Sequence, residues 1–375
     1  MIKLLLSGVV AASVALGPLA APAHASAPAP PAPVLLAPTG PYPLGTATLH
    51  LVDSSRADPW TPARRRELMV TLWYPARAKT GVRARYVTPA ESALLLAGLE
   101  AEGVPTDLLS RIKTHAVTGA APSRTGLPLV VLSPGFGLPR SSLTSLGEDL
   151  ASRGYAVAAI DHTYESRATT FPDGRTTTCT ACDIEDSPGR VPAIRSADVS
   201  FVIDRLTGPR PAWGPPGLID ASRIGMAGHS IGGNSAAQAM RDDPRIDAGV
   251  NMDGAFIAPI AAPGLARPFL LFGAADTFTP GSPDEERSWR DNWPRLTGWK
   301  RWAAVTGAGH ESFTDYPALE EQLGMPAGAL TGVRAVDVTR TYVSAFFDRH
   351  LRGRAQPLLD GRSPKYPEVK FQTVG

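Results

Sequence analysis

Apolar and polar positions along this chain follow two periods, and the switch between them marks out its elements. Ala47 to Val52 and Leu68 to Tyr74 show alternation of the kind a strand with one wet face requires. Pro128 to Leu132, Ala156 to Ile160, Ile224 to Ala227, Ala248 to Met252, Phe269 to Phe272 and Arg301 to Val305 are shorter and mostly near-continuous apolar runs. Such runs suit strands covered by helices on both faces. Helical spacing fills the gaps between them. Thr88-Pro89-Ala90-Glu91 opens a helix through Leu94, Leu95, Leu96 and Leu99 with a capping box and a proline at its first position. Ser142 to Arg153, Ala193 to Leu206, Gly233 to Arg241, Pro283 to Trp293 and Val333 to Leu351 read as further helices. Strand and helix alternate, so the expected fold class is α/β: a mostly parallel, doubly wound sheet with an antiparallel N-terminal edge.

The N-terminus follows a different pattern. Lys3, an apolar stretch from Leu4 to Leu19 and the Ala23-His24-Ala25 site describe a secretory signal peptide over 1–25, cleaved after Ala25. The apolar run is short and broken by Gly8, Gly17 and Pro18, which argues against a membrane anchor. Residues 26–40 are rich in Ala and Pro and read as a linker. Residues 41–375 then form one catalytic-size domain, and the protein is expected to be extracellular.

A formal charge of +2 with interleaved signs gives no basic face for nucleic acid, and Arg64-Arg65-Arg66 reads as a solvated turn. Cys179 and Cys182 are the two cysteines, in a C-x-x-C. Without a second such pair there is no zinc tetrad, and export favours a disulfide. Leu94 to Leu99 could form a lid or lipid-contacting helix, but leucines at that spacing more often face a core.

The chemistry lies at Gly228-His229-Ser230-Ile231-Gly232, a G-x-S-x-G between a strand and a helix. There the turn crowds the positions two before and two after the serine, so both lack a side chain. Ser230 is exposed at the helix N-terminus as the candidate nucleophile. It needs a base. After Ser230 only His310 and His350 are available; His310 follows the last strand, whereas His350 ends a long helix as an ordinary terminal cation. Two carboxylates could orient His310: Asp253, after the strand that follows the nucleophile helix, and Asp276, after the next one. Geometry alone leaves both open. For the oxyanion hole the donors are the N–H of Ile231 and that of Phe136, in the loop Ser133-Pro134-Gly135-Phe136-Gly137.

Taken in order, LSPGFG, GHSIGG, NMDGAF and GAGHESFTD resemble the secreted platelet-activating-factor acetylhydrolase family (isoform II, lipoprotein-associated phospholipase A2-like), as does the N-terminal style of PYPLGTATLHLVD and RELMVTLWYPA. The resemblance spans roughly Pro41 to Leu351 and implies an α/β-hydrolase fold. It favours Asp253, 23 residues after Ser230, over Asp276, and implies the same two oxyanion amides and no metal or cofactor. Pro134 departs from the histidine that members often carry there. Asp161-His162 reads as acyl-pocket lining or as a surface loop. The expected function is a secreted serine carboxylester hydrolase for short-chain or lipid-like esters. The partners are an ester substrate and, transiently, a lipid surface, with a monomer favoured. Polyester and triacylglycerol hydrolysis are alternatives, peptidase activity a further one, and a silent binding module on a hydrolase scaffold is the rival from another class.

Overall fold

The computed structural model describes residues 32–98 and 104–374. The expected signal peptide and Leu99 lie outside them.

The strands are β1 (Leu44–Ala57), β2 (Arg65–Pro75), β3 (Arg83–Arg85), β4 (Lys113–Thr118), β5 (Leu127–Ser133) and β6 (Ala156–Asp161). After the small ribbon β7 (Thr169–Thr170) and β8 (Thr176–Thr177) come β9 (Ile219–His229), β10 (Ile246–Met252), β11 (Phe269–Ala274), β12 (Lys300–Val305) and β13 (Val369–Phe371). All but the ribbon form one sheet in the order β13-β12-β11-β10-β9-β5-β6-β2-β1-β4-β3. From β6 across to β12 every pairing is parallel, and β2 enters antiparallel beside β6.

The principal helices are α1 (Pro89–Gly98), α2 (Thr144–Ser152), α3 (Ser187–Thr207) and α4 (Ile231–Asp242). The short α5 (Ala275–Phe278), α6 (Ser288–Asn292) and α7 (Tyr316–Gln322) lead to the long α8 (Gly332–Arg352). Two cores result, one on each face of the sheet. Val130 and Leu132 of β5 pack with Leu146 of α2 and Phe346 and Phe347 of α8; Leu129 and Val131 pack with Val199 of α3 and Met240 of α4. Adjacent residues of one strand thus serve opposite cores, which explains the unbroken apolar runs. The doubly wound α/β sheet and the α/β-hydrolase architecture are both present.

Several expectations differ in detail. The N-terminal edge is wider than β1 and β2 and is mixed: β4 lies outside β1 and pairs with it in parallel, and β3 pairs antiparallel with β4. The stretch read as a linker is part of the body from Ala32 onward. Leu35 is buried and its N–H bonds the Lys113 carbonyl, while Thr39 and Gly40 bond Asp149 and Ser152. Arg66 is not on a solvated turn: it is fully buried between Asp58 and Asp198. The helix expected over Pro283 to Trp293 shortens to α6, with Trp289 buried against Phe278 and Trp302. Leu95 and Leu96 of α1 pack on Leu108, Leu109 and Ile112, so this helix belongs to a core and is not a free lid. Its capping box forms as expected between Thr88 and Glu91. No described helix is long and apolar enough to cross a membrane.

Candidate active site

The carboxyl ends of β5, β9, β10 and β12 converge on one rim of the sheet, and the loops that leave them carry the candidate residues. Ser230 caps α4 with φ 55° and ψ −127°, a conformation that L-residues rarely adopt. The glycines around it make the turn possible. A Cβ on Gly228 would lie 2.0 Å from the Gly232 carbonyl oxygen, and one on Gly232 would lie 2.2 Å from the Ser133 carbonyl oxygen. The second clash shows that the Ser230 turn packs directly on the loop that carries Phe136, the other candidate oxyanion donor.

Asp253 follows β10, also at positive φ, and is buried. Its Oδ1 accepts the Ala274 N–H at 2.6 Å, and its Oδ2 accepts His310 Nδ1–H at 2.6 Å. This hydrogen bond holds the imidazole above its usual pKa, against the opposing effect of partial burial. Asp276, the other candidate acid, is exposed in the first turn of α5, and among the described residues it has no bond to His310. His350 is not a terminal cation either. It packs on Trp299 and Phe346, and burial with the neighbouring Arg349 lowers its pKa to about 4.

His310 is the first residue of a short turn (His310–Phe313), and its ring faces the same cleft as the Ser230 side chain. A hydrogen bond between the two is not part of the resting geometry, a common state of such pairs before substrate closes the site. Phe136 and Ile231 border the same cleft, and among the described residues neither backbone N–H has a hydrogen-bond partner.

One residue of this site was not read from the sequence as functional. His229 is fully buried, its ring 4.7 Å from that of His310, and its Nε2 lies 2.9 Å from the His310 carbonyl oxygen. Burial, then repulsion from His310, lowers its pKa to about 3, so it is neutral and its single proton sits on Nε2, facing an oxygen that can only accept. His310 is thereby held at two points: ring by Asp253, backbone by His229. The partner is 81 residues away, and nothing local announces it.

A second Ser–His–Asp chain lies beneath the first. Ser133 Oγ is 3.0 Å from His162 Nε2, and His162 Nδ1 is 2.9 Å from Asp198 Oδ2. All three side chains are buried, and Arg195 donates to Ser133 Oγ at 3.0 Å, so no ester can reach this hydroxyl. Asp161 is equally enclosed, bonded to Arg140. The Asp161-His162 pair therefore neither lines the acyl pocket nor forms a surface loop. Cys179 and Cys182 form the expected disulfide near the cleft.

Comparison with known proteins gives the family of the chain. The family model for platelet-activating factor acetylhydrolase, isoform II, matches residues 39–179. The chain is 30% identical over 372 residues to a probable 1-alkyl-2-acetylglycerophosphocholine esterase from Arthroderma benhamiae, covering 89% of this chain and 92% of that protein. This chain belongs to the platelet-activating factor acetylhydrolase isoform II family. It is a carboxylic ester hydrolase. A solved ferulic acid esterase from Streptomyces cinnamoneus is 49% identical, with a TM-score of 0.82, covering 92% of this chain and 100% of that one. A bis(hydroxyethyl) terephthalate hydrolase from Streptomyces coelicolor is 32% identical over 157 residues, covering 40% of each chain.

Proposed function

We propose that this esterase is a serine hydrolase that uses Ser230 as nucleophile, His310 as base and Asp253 as orienting acid, and acts on uncharged esters with short or planar aromatic acyl groups. The observation that carries the reading is the 2.6 Å Asp253–His310 bond at the rim of a cleft that also holds Ser230 and two unpartnered amides.

The steps follow from the geometry. Asp253 accepts a hydrogen bond from His310 Nδ1–H, which leaves the Nε2 lone pair free to take the Ser230 proton as Oγ attacks the ester carbonyl. Negative charge develops on the carbonyl oxygen, and the Phe136 amide of the loop after β5 and the Ile231 amide at the α4 N-terminus stabilise it. The imidazolium returns its proton to the departing alcohol, leaving an acyl-enzyme on Ser230. Water, deprotonated by the same imidazole, releases the acid. Every step uses side chains and amides of this chain alone.

Substrate class follows from what lines the cleft. It has a volume of about 580 Å³ and is bordered by Phe136, Ile231, Ile257 and Phe278. Glu286 also borders it, and among the described residues no lysine or arginine does. Flat, apolar walls suit an aromatic or short acyl group. The Streptomyces neighbours are named for ferulic acid and bis(hydroxyethyl) terephthalate, both of which carry an aromatic acyl group. The second reading, an acetylated glycerophospholipid, is favoured by the family and by the Arthroderma relative. Among the described residues that line the cleft there is no lysine or arginine to pair with its phosphate, which ranks it behind neutral esters.

Export through residues 1–25, with the hydrolase working as a monomer outside the cell, completes the proposal. The test is a panel of p-nitrophenyl acetate, p-nitrophenyl decanoate, methyl ferulate, bis(hydroxyethyl) terephthalate and a platelet-activating-factor analogue. The expected order of kcat/KM puts acetate and ferulate first. Faster hydrolysis of the phospholipid than of methyl ferulate would reverse the ranking.

A further inference from the structure

The oxyanion loop between Ser133 and Leu138 is held at both ends by one buried glutamate. The Glu165 backbone carbonyl accepts the Gly137 N–H at 2.9 Å. Its carboxylate takes Arg195 Nε on one oxygen at 2.7 Å and Trp60 Nε1 on the other at 2.9 Å. Arg195, which leaves α3 beneath the loop, donates through Nη1 to the Pro134 carbonyl at 2.5 Å and to Ser133 Oγ at 3.0 Å. Both charged side chains are buried, 1% exposed for Arg195 and 0% for Glu165. Phe136 sits between these two anchors, at Pro134 and Gly137, with its own N–H unpartnered.

The buried Ser–His–Asp chain completes the arrangement. The Ser133 hydroxyl accepts from Arg195, so its own proton is directed to His162 Nε2, and His162 Nδ1–H is directed to Asp198. Asp198 in turn is held by Arg66 at 2.5 Å and Arg56 at 2.9 Å. Every donor in this relay meets an acceptor. The Pro134 carbonyl is committed to Arg195 and the Gly137 N–H to Glu165, so the loop is fixed on both sides of Phe136, which borders the cleft.

We propose that Arg195, oriented by Glu165, is a positioning residue that aims the Phe136 amide at the developing oxyanion. The proposal rests on the reading of the Ser230 site given above. A guanidinium suits the task because its planar fork fixes two acceptors and a carboxylate at once, which an ammonium cannot.

Two variants test it: Arg195→Lys, and the paired Arg195→Met/Glu165→Gln, which removes both charges together and so leaves no buried ion uncompensated. Each is measured for melting temperature, for kcat and KM on p-nitrophenyl acetate, and for affinity for phenylboronic acid, whose serine adduct mimics the tetrahedral intermediate. Active-site titration with a fluorophosphonate counts the competent fraction. The expected result is a kcat at least tenfold lower per competent site, approaching the ~10²-fold loss of a whole oxyanion donor. KM should stay within threefold, and boronate affinity should fall by the same factor as kcat/KM. A kcat within threefold of wild type in the folded paired variant, with boronate affinity unchanged, overturns the assignment. Ser230→Ala separates the two levels. If it abolishes turnover while the paired variant stays active, only the clamp fails; if Ser230→Ala stays active, the reading of the site itself fails.

Discussion

Replacing Asp253 by asparagine should switch the His310 ring to the wrong tautomer, and the structure says why the new side chain cannot avoid it. Asp253 Oδ1 accepts the Ala274 N–H at 2.6 Å, and Oδ2 accepts His310 Nδ1–H at 2.6 Å. Asparagine must keep its carbonyl oxygen toward Ala274, because an NH₂ there would oppose another N–H. Its NH₂ then faces His310, where only an unprotonated Nδ1 can accept. The imidazole proton moves to Nε2, the atom that has to take the Ser230 proton. The expected loss in kcat is about 10⁴-fold, as for a triad aspartate made asparagine. That loss corresponds to about 5.5 kcal/mol at 1.36 kcal/mol per decade. Steady-state hydrolysis of p-nitrophenyl acetate between pH 7 and 8, with thermal melts confirming the fold, measures it. The exposed Asp276 supplies the control: Asp276→Asn should stay within threefold of wild type. A loss smaller than tenfold in Asp253→Asn, or an equal loss in Asp276→Asn, would refute the tautomer argument.

Other expectations follow from the same geometry. His310 must be neutral to act as base, and its bond to Asp253 raises its pKa. Activity should therefore rise with pH along an acid limb lying above the free-imidazole value of about 6.5, and this limb should move down in Asp253→Asn; a kcat/KM profile from pH 5 to 9 shows both. His229→Phe removes the bond that anchors the His310 carbonyl, so kcat should fall about tenfold, in line with the ~1–1.5 kcal/mol of one hydrogen bond, with KM little changed. Gly228→Ala places a methyl group 2.0 Å from the Gly232 carbonyl oxygen, where backbone must give way. Denaturant unfolding should show a loss of about 3 kcal/mol or more, or no folded protein at all.

The parts of this molecule legible in its sequence are those governed by local pattern. The apolar run at Leu129–Leu132 gives its strand because neighbouring residues serve opposite cores, and Gly228–Gly232 gives its turn because steric crowding acts within five residues. The short edge strands Arg83–Arg85 and Val369–Phe371 carry no such pattern; partners distant in the chain define them. The same holds for polar side chains. The charge of Arg66 reads as a surface feature until Asp58 and Asp198 are brought to it, and Leu35 reads as a tether until it meets β4. The candidate nucleophile and base could be named from local motifs. The choice between Asp253 and Asp276 could not, since the strands before both residues end on the same rim and only the tertiary course of their loops decides which carboxylate meets His310. Nor could His229, His162 and Arg195 be placed, since each is defined by a bond that spans 29 to 81 residues.

The most direct test of the account is the location of a covalent fluorophosphonate adduct by peptide mass spectrometry, since beside Ser230 the described residues hold a buried serine, Ser133, already bonded to a histidine–aspartate pair. The account predicts one adduct per chain, on the peptide carrying Ser230, lost in Ser230→Ala and in His310→Gln. An adduct on the Ser133 peptide, or undiminished labelling of Ser230→Ala, would contradict it.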